Sequence, residues 1–65
     1  MLYPNPATNE IQINGLQGND LVPIYNMSGM KVLESQGTNA IDISYLKEGL
    51  YIAEFGDKKI KFFKN

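Results

Sequence analysis

The sequence contains no cysteine and no histidine, and each absence excludes a class of site. Without cysteine, neither a disulfide framework nor a thiolate metal site can add to the stability of the fold. Without histidine, the commonest catalytic base and the commonest metal ligand are missing. We therefore expect no catalytic residues, no metal site and no cofactor within these 65 residues, so that the chain is not an enzyme.

The sequence also lacks an excess of one charge and any long apolar run. Six lysines stand against seven acidic residues, which gives a formal net charge of −1. This balance argues against a general nucleic-acid binder, because such proteins present a strongly basic surface. The apolar runs are far shorter than the roughly 20 residues of a membrane-spanning helix. We expect neither nucleic-acid binding nor membrane insertion.

The short chain limits the fold to one domain with a thin core. A chain of 65 residues buries only about 60% of its unfolded surface on folding, so we expect a single domain spanning residues 1–65. Within it, Ile11 and Ile13 alternate with polar residues, as do Ile41 and Ile43. Strict alternation predicts strands that turn these isoleucines towards the core.

Proline positions restrict where the strands can pair. Pro4 and Pro6 fix φ and remove two backbone donors, which predicts an irregular edge strand leading into a turn over residues 7–9. Pro23 stands in the middle of the apolar segment 21–26. That strand is therefore expected to lie at an edge or to carry a bulge at the proline.

Turn residues predict two hairpins. Residues 26–29 form a tight-turn signal in which Gly29 takes a positive φ, followed by a returning strand. Near the end of the chain, the pair Gly56-Asp57 separates the β-branched and aromatic runs 50–55 and 58–64. A Gly-Asp pair between two such runs predicts a hairpin with a primed turn.

The only helical candidate is a single short turn near residues 44–48, which Ser44 could cap and Gly49 could end. The rest of the chain offers about six to seven short strands with turn signals at close intervals. The sequence therefore predicts an all-β fold, a small Ig-like antiparallel β-sandwich.

The lysines are concentrated in the last eight residues, which contain Lys58, Lys59, Lys61 and Lys64. On an edge strand they would discourage pairing with other chains. Together with the neighbouring phenylalanines they could instead form a basic strip that stacks on nucleic acid. The overall charge of −1 argues against that second interpretation. A further alternative is a sugar-stacking platform formed by the four tyrosines, Tyr3, Tyr25, Tyr45 and Tyr51.

Short motifs follow one another in a specific order over nearly the whole chain. They are the opening Tyr3-Pro4-Asn5-Pro6-Ala7-Thr8, the run 22–26 with Gly29, Lys31 and Val32, then Ile41-Asp42-Ile43-Ser44, Leu46, Gly49 and Tyr51, and finally the basic run from Lys58 to Lys64. In this order they resemble the C-terminal sorting domains (type A) of proteins exported by the type IX secretion system of Bacteroidetes-type bacteria. The match to the family motif is carried most directly by Pro4, Asn5, Pro6, Gly29, Lys31 and Val32.

The resemblance implies a function that composition alone does not supply. Domains of this family are secretion signals attached to an upstream cargo domain. They are recognised by the type IX outer-membrane translocon and its shuttle proteins, and a surface sortase normally removes them. The cargo is exported through the periplasm and the outer membrane to the cell surface or the extracellular space. The alternative function is that of a small carbohydrate-binding or adhesive β-sandwich module.

Candidate recognition residues lie in the last hairpin. Gly49 and Tyr51 are expected to set and anchor it. A positive edge beside the carboxylate of Asn65 is expected from four lysines, Lys58, Lys59, Lys61 and Lys64. A partner could add a strand to that edge or dock against its charges. Exposed edges on so small a sandwich would also allow a homodimer through edge strands.

Two positions depart from the family pattern. Pro23 stands where the family has a residue with a backbone donor, so the pairing of that strand is open. Ala53 is smaller than the usual branched residue, so the core beside Tyr51 is expected to be underfilled or to be filled by Phe55 or Phe63.

Overall fold

The computed structural model describes residues 2–3, 7–15, 20–36 and 39–65. Over these residues the chain forms seven strands and no helix. The strands are β1 (Leu2–Tyr3), β2 (Glu10–Ile13), β3 (Leu21–Asn26), β4 (Lys31–Gln36), β5 (Ala40–Asp42), β6 (Gly49–Phe55) and β7 (Lys58–Lys64). The prediction of an all-β fold is confirmed.

The strands form two antiparallel sheets. The smaller sheet has three strands in the order β1-β2-β5, and the larger has four in the order β4-β3-β6-β7. Buried side chains from both sheets meet in one core. Two sheets packed face to face over a shared core are the architecture of a β-sandwich, so the predicted small Ig-like sandwich is confirmed.

The core is built by alternate residues of the strands. Successive side chains of a strand point to opposite faces of the sheet. Ile11, Ile13, Ile41 and Ile43 are buried as their alternation predicts. The complete apolar core consists of Leu2, Ala7, Ile11, Ile13, Val22, Ile24, Ile41, Ile43, Tyr51, Ala53 and Phe62.

Pro23 lies in a strand that is central, because β3 runs between β4 and β6. The prediction of an edge position for this strand is therefore wrong. Pro23 pairs with Glu34 on the β4 side, whereas the pairing with β6 begins only at Ile24. On the β6 side the proline thus lies just outside the ladder, where its missing donor is not needed. The register shift lies between Ile24 and Tyr25 and its extra residue is Val32 of β4, so the bulge predicted in β3 at the proline is not observed there.

The segment between β5 and β6 forms one hydrogen-bonded turn in place of the predicted helical turn near 44–48. The amide of Leu46 donates to the carbonyl of Ile43 at 3.0 Å, and no helix follows. Ser44 does not cap a helix among the described residues, since none forms there, and its amide donates to Asp42 Oδ1 at 2.9 Å. A side chain that bonds the backbone two residues ahead favours a turn over a helix. Gly49 begins β6 and does not end a helix.

The same contact affects the charge state of Asp42. The backbone amide of Ser44, followed by its hydroxyl, donates to the carboxylate and lowers the pKa of Asp42. Hydrogen bonds to the charged form have this effect because protonation would weaken them.

Among the described residues, no helix is long and apolar enough to cross a membrane.

Candidate functional site

The last hairpin joins β6 and β7 through seven cross-strand pairs, from Gly49 opposite Lys64 to Phe55 opposite Lys58. Gly56 has a φ of +59°, and no described residue other than glycine has a positive φ. A positive φ at the first central residue alone is the feature of a type II′ turn. The predicted primed turn is confirmed, and it leaves β7 as the edge strand of the larger sheet.

The inner face of the hairpin belongs to the core. The rings of Tyr51 and Phe62 stack with centroids 5.8 Å apart and planes at 26°. The hydroxyl of Tyr51 donates to the carbonyl of Lys47 at 2.6 Å, which ties β6 to the segment before it. Phe62 therefore fills the core beside Tyr51, and the prediction that Phe63 could do so is wrong, since Phe63 lies on the outer face. Phe55, the other predicted candidate, packs against the edge of the core.

Three of the four clustered lysines are exposed. Lys59 keeps 72% of its side chain exposed, and its Nζ lies 3.7 Å from Glu54 Oε2. Exposed pairs of this kind contribute little to stability, because water competes for both charges. Lys58 and Lys61 form no ion pair with any residue that the structure describes. Their charges are therefore open to a partner.

Lys64 does not belong to this exposed group, and the prediction that it contributes to a positive edge is wrong. Only 8% of the residue is exposed. Because side chains alternate along β7, Lys64 shares the inner face with Phe62. Its Nζ donates to the main-chain oxygen of Asn65 at 3.0 Å.

The end of β7 is covered by the segment that follows the Pro-Asn-Pro motif. Ala7 forms a parallel bridge with Lys64. The amide of Ala7 donates to the carbonyl of Phe63 at 2.7 Å, and the amide of Asn65 donates to the carbonyl of Ala7 at 2.8 Å. These backbone groups are already paired, so strand addition by a partner is restricted to the earlier part of the β7 edge.

The residues of the family motif are placed as follows. Pro4, Asn5 and Pro6 lie outside the described residues. Lys31 begins β4, and its Nζ lies 3.4 Å from Glu34 Oε2. Val32 packs against the core beside the register shift.

Gly29, another residue of the motif, completes the turn between β3 and β4. Its φ is +86°, and its amide donates to the carbonyl of Asn26 at 3.0 Å. Asn26 Oδ1 also accepts from the amides of Ser28, at 2.9 Å, and Met30, at 3.0 Å. The predicted tight turn is confirmed, and the Asn26 side chain holds it in place.

The described tyrosines do not form a sugar-stacking platform. Tyr51 is buried against Phe62, which removes its ring from the surface. Tyr45 is exposed in the connection between β5 and β6, whereas Tyr25 is half-buried on β3. The side chain of Tyr3 lies outside what the structure describes.

The outer face of the larger sheet contains residues that the sequence analysis did not select. Leu50 lies opposite Phe63, and Ile52 lies opposite both Tyr25 and Lys61. Beside them is an open cleft of about 260 Å³, lined by residues of the β3–β4 turn and of the last hairpin. The alternation of β6 could have identified Leu50 and Ile52, because they interleave with the buried Tyr51 and Ala53.

Comparison with known proteins identifies the family of the chain. A family model described as the secretion system C-terminal sorting domain matches residues 1–65, the full length of the sequence. No curated protein and no solved structure matches. The chain therefore belongs to the family of type IX secretion C-terminal sorting domains, whose role is that of a C-terminal sorting signal for export across the outer membrane.

Proposed function

We propose that this domain is the sorting signal by which the type IX outer-membrane translocon recognises its cargo, and that the last hairpin contains the recognition surface. The observation behind the proposal is the exposure of Lys58, Lys59 and Lys61 along the edge strand β7. Lys59 and Lys61 share the outer face of β7 and Lys58 points to the opposite face, so this patch of positive charge extends around both sides of the edge strand, on a chain whose net charge is −1. A patch of one sign steers a complementary partner and fixes its orientation.

The other predicted recognition residues act by positioning this patch. Tyr51 anchors β6 through its ring stacking and its hydrogen bond to Lys47. Gly49 begins β6 opposite Lys64, at the open end of the hairpin ladder, farthest from the Gly56-Asp57 turn. Lys64 is buried, and the amide of Asn65 is bonded to Ala7. These four residues, Gly49, Tyr51, Lys64 and Asn65, hold β7 in place, and the three exposed lysines contact the translocon.

Docking against charge is the proposed mode of recognition, ahead of strand addition. Lysines on an edge strand oppose the close approach of another strand. The final backbone groups of β7 are also occupied by Ala7. An acidic surface of the translocon or of a shuttle protein would meet the lysine side chains without needing those backbone groups.

A second copy of the chain is a poorer partner for this edge. In an antiparallel pairing of two β7 strands centred on Ile60, Lys59 of one copy lies opposite Lys61 of the other. Like charges in directly opposite positions destabilise a strand pair. We propose that the domain is recognised as a monomer, although β7 is an open edge. Sedimentation at rising concentration tests this, and a dimer that persists at low micromolar concentration would contradict it.

Family membership supports a proposal for the fate of the cargo. We propose that the domain is attached to an upstream cargo domain, that the cargo passes through the periplasm and the outer membrane, and that a surface sortase then cuts upstream of the domain. The cargo remains at the cell surface or is released into the medium. Family membership supports this sequence of steps.

The test is export of a reporter joined to residues 1–65 in a bacterium with a functional type IX system. The variant Lys58→Gln/Lys59→Gln/Lys61→Gln keeps the strand and removes the exposed charges, and Lys47→Gln is the matched control at an exposed lysine outside the hairpin. We expect export to fall about tenfold, as for the loss of about 1.4 kcal/mol of binding free energy. Undiminished export by the folded triple variant would contradict the proposal. Circular dichroism of each purified variant establishes that it is folded.

A further inference from the structure

The outer face of the larger sheet carries an apolar band that the core does not use. Leu50 and Phe63 lie opposite each other and keep 46% and 37% of their surface exposed. The half-buried Ile52 continues the band along β6, and the half-buried Tyr25 extends it across to β3. A chain of 65 residues has few apolar side chains to place outside its core. Contiguous exposed apolar residues on a small domain indicate a surface that meets another molecule.

A concave site lies beside this band. The cleft of about 260 Å³ lies between the β3–β4 turn and the last hairpin. Tyr25 and Ile52 line it with apolar surface, and the exposed Met27 stands on the turn side. Methionine adapts its shape to different apolar partners. The turn itself is held by the bonds to the Asn26 side chain, so this wall of the cleft is already formed before any partner arrives.

Charges surround the apolar band in a defined arrangement. Lys59 and Glu54 line the cleft on the side of the hairpin. Lys61 lies opposite Ile52 and forms no ion pair with a described residue. The outward face of the smaller sheet differs, since the exposed Glu10 and Asp42 are opposite each other there. On the outer face of the larger sheet Lys59 is paired with Glu54 and Lys31 with Glu34. Among the described residues, the lysine charge left without an ion pair on that face is therefore that of Lys61. On the smaller sheet two carboxylates lie opposite each other.

We infer that the outer face of the larger sheet is the docking surface for an acidic protein segment of the export machinery, which inserts one large apolar side chain into the cleft. Carboxylates of that segment pair with Lys61 and Lys59, and its apolar residues cover Leu50 and Phe63. This inference rests on the proposed function. It adds to that function which face of the sheet is recognised and which chemistry the protein partner has. An apolar anchor in a pocket surrounded by charges is the usual form of an interface hot spot.

A protein segment fits this face better than an anionic lipid surface does. Membrane-binding faces are convex and place apolar side chains where they can enter the acyl boundary. Here the apolar surface of Tyr25 and Ile52 lines a cleft.

The experiment compares outer-face variants with matched variants elsewhere, in the reporter fused to residues 1–65. Leu50→Ser removes apolar surface from the band, and Lys61→Glu reverses its charge. The controls are Tyr45→Ser, at an exposed aromatic in the β5–β6 connection, and Lys47→Glu, at an exposed lysine outside the hairpin. We expect each outer-face variant to lower export by about tenfold or more, with both controls exported as the wild type. Leu50→Thr, whose β-branched side chain favours a strand, replaces Leu50→Ser if the latter does not fold.

The outcomes separate the two proposals. Failure of the wild-type fusion to be exported would overturn both. Export of the wild type, together with full export of folded Leu50→Thr and Lys61→Glu, would overturn the docking surface and leave the sorting function standing. Co-sedimentation with vesicles of phosphatidylglycerol and phosphatidylcholine is the third measurement. Binding that disappears in the same two variants would assign the face to lipid and overturn the inference, whereas absence of vesicle binding supports a protein partner.

Discussion

The adjacent residues Phe62 and Phe63 provide a direct test of which face of β7 packs in the core. They have the same side chain, lie in the same strand and point to opposite faces. Phe62 is 1% exposed and stacks on Tyr51, whereas Phe63 is 37% exposed on the outer face opposite Leu50. Phe62→Ala and Phe63→Ala therefore remove the same atoms from two different environments.

The expected magnitudes differ severalfold. Removing a buried phenylalanine ring costs about 3–5 kcal/mol. A domain of 65 residues has a free energy of unfolding of about 3–10 kcal/mol, from about 0.05–0.15 kcal/mol per residue. Phe62→Ala thus removes a large part of the stability, or all of it. Phe63→Ala loses a cross-strand contact worth up to about 1 kcal/mol, and the backbone bond from Ala7 to Phe63 remains.

Urea unfolding followed by circular dichroism measures both changes. We expect the free energy of unfolding to fall by about 3–5 kcal/mol for Phe62→Ala and by about 1 kcal/mol or less for Phe63→Ala. Comparable losses in the two variants, or a larger loss for Phe63→Ala, would refute the assignment of Phe62 to the core. Export separates the roles further. Phe63→Ala is expected to remain folded and yet be exported poorly, because the residue belongs to the proposed docking surface.

Three further predictions concern single contacts. Tyr51→Phe keeps the ring and loses the hydrogen bond to Lys47, so the free energy of unfolding should fall by about 0.5–1.5 kcal/mol in urea titration, and an unchanged value would show that the bond contributes nothing. Gly29→Ala meets no atom within 4 Å, but its φ of +86° should cost about 1–2 kcal/mol, and a stabilised variant would contradict the turn geometry. The pKa of Asp42 is lowered from its ordinary value of 3.8 by hydrogen bonds from Ser44. The ionised carboxylate therefore stabilises the folded state above pH 3.8, and this stabilisation is lost as the pH falls through the pKa of Asp42 in the folded protein. The melting temperature of the wild type should therefore drop more steeply below pH 3.8 than that of Asp42→Asn, which keeps the acceptor oxygen without the charge, and parallel profiles would refute this.

Local patterns in the sequence account for the strands and their turns. The alternation around Ile11, Ile13, Ile41 and Ile43 identified their buried faces, because a strand has a side-chain period of two residues and needs no distant partner to show it. The positive φ of Gly29 and the primed turn at Gly56 followed from turn chemistry for the same reason. The order of short motifs was enough to indicate the family, which the match over residues 1–65 shows.

The order of the strands within each sheet could not be predicted from local patterns, because it is set by contacts between distant parts of the chain. Pro23 predicted an edge strand or a bulge at the proline. In the structure β3 is central and pairs with both β4 and β6, and the pairing with β6 begins one residue after the proline. The bridge from Ala7 to Lys64 joins the two ends of the domain, and no local pattern contains it.

The sequence by itself determined the composition of the domain, its strands, its turns and its family. Only the tertiary structure decided which of Phe62 and Phe63 enters the core, and with that choice the buried position of Lys64 and the outward position of Lys61. The physical reason is the register of β7 on β6. A shift of one residue exchanges every side chain between the two faces. Because two phenylalanines are adjacent, either register would place one of them in the core. The packing of Phe62 against Tyr51 and the smaller sheet fixes the observed register.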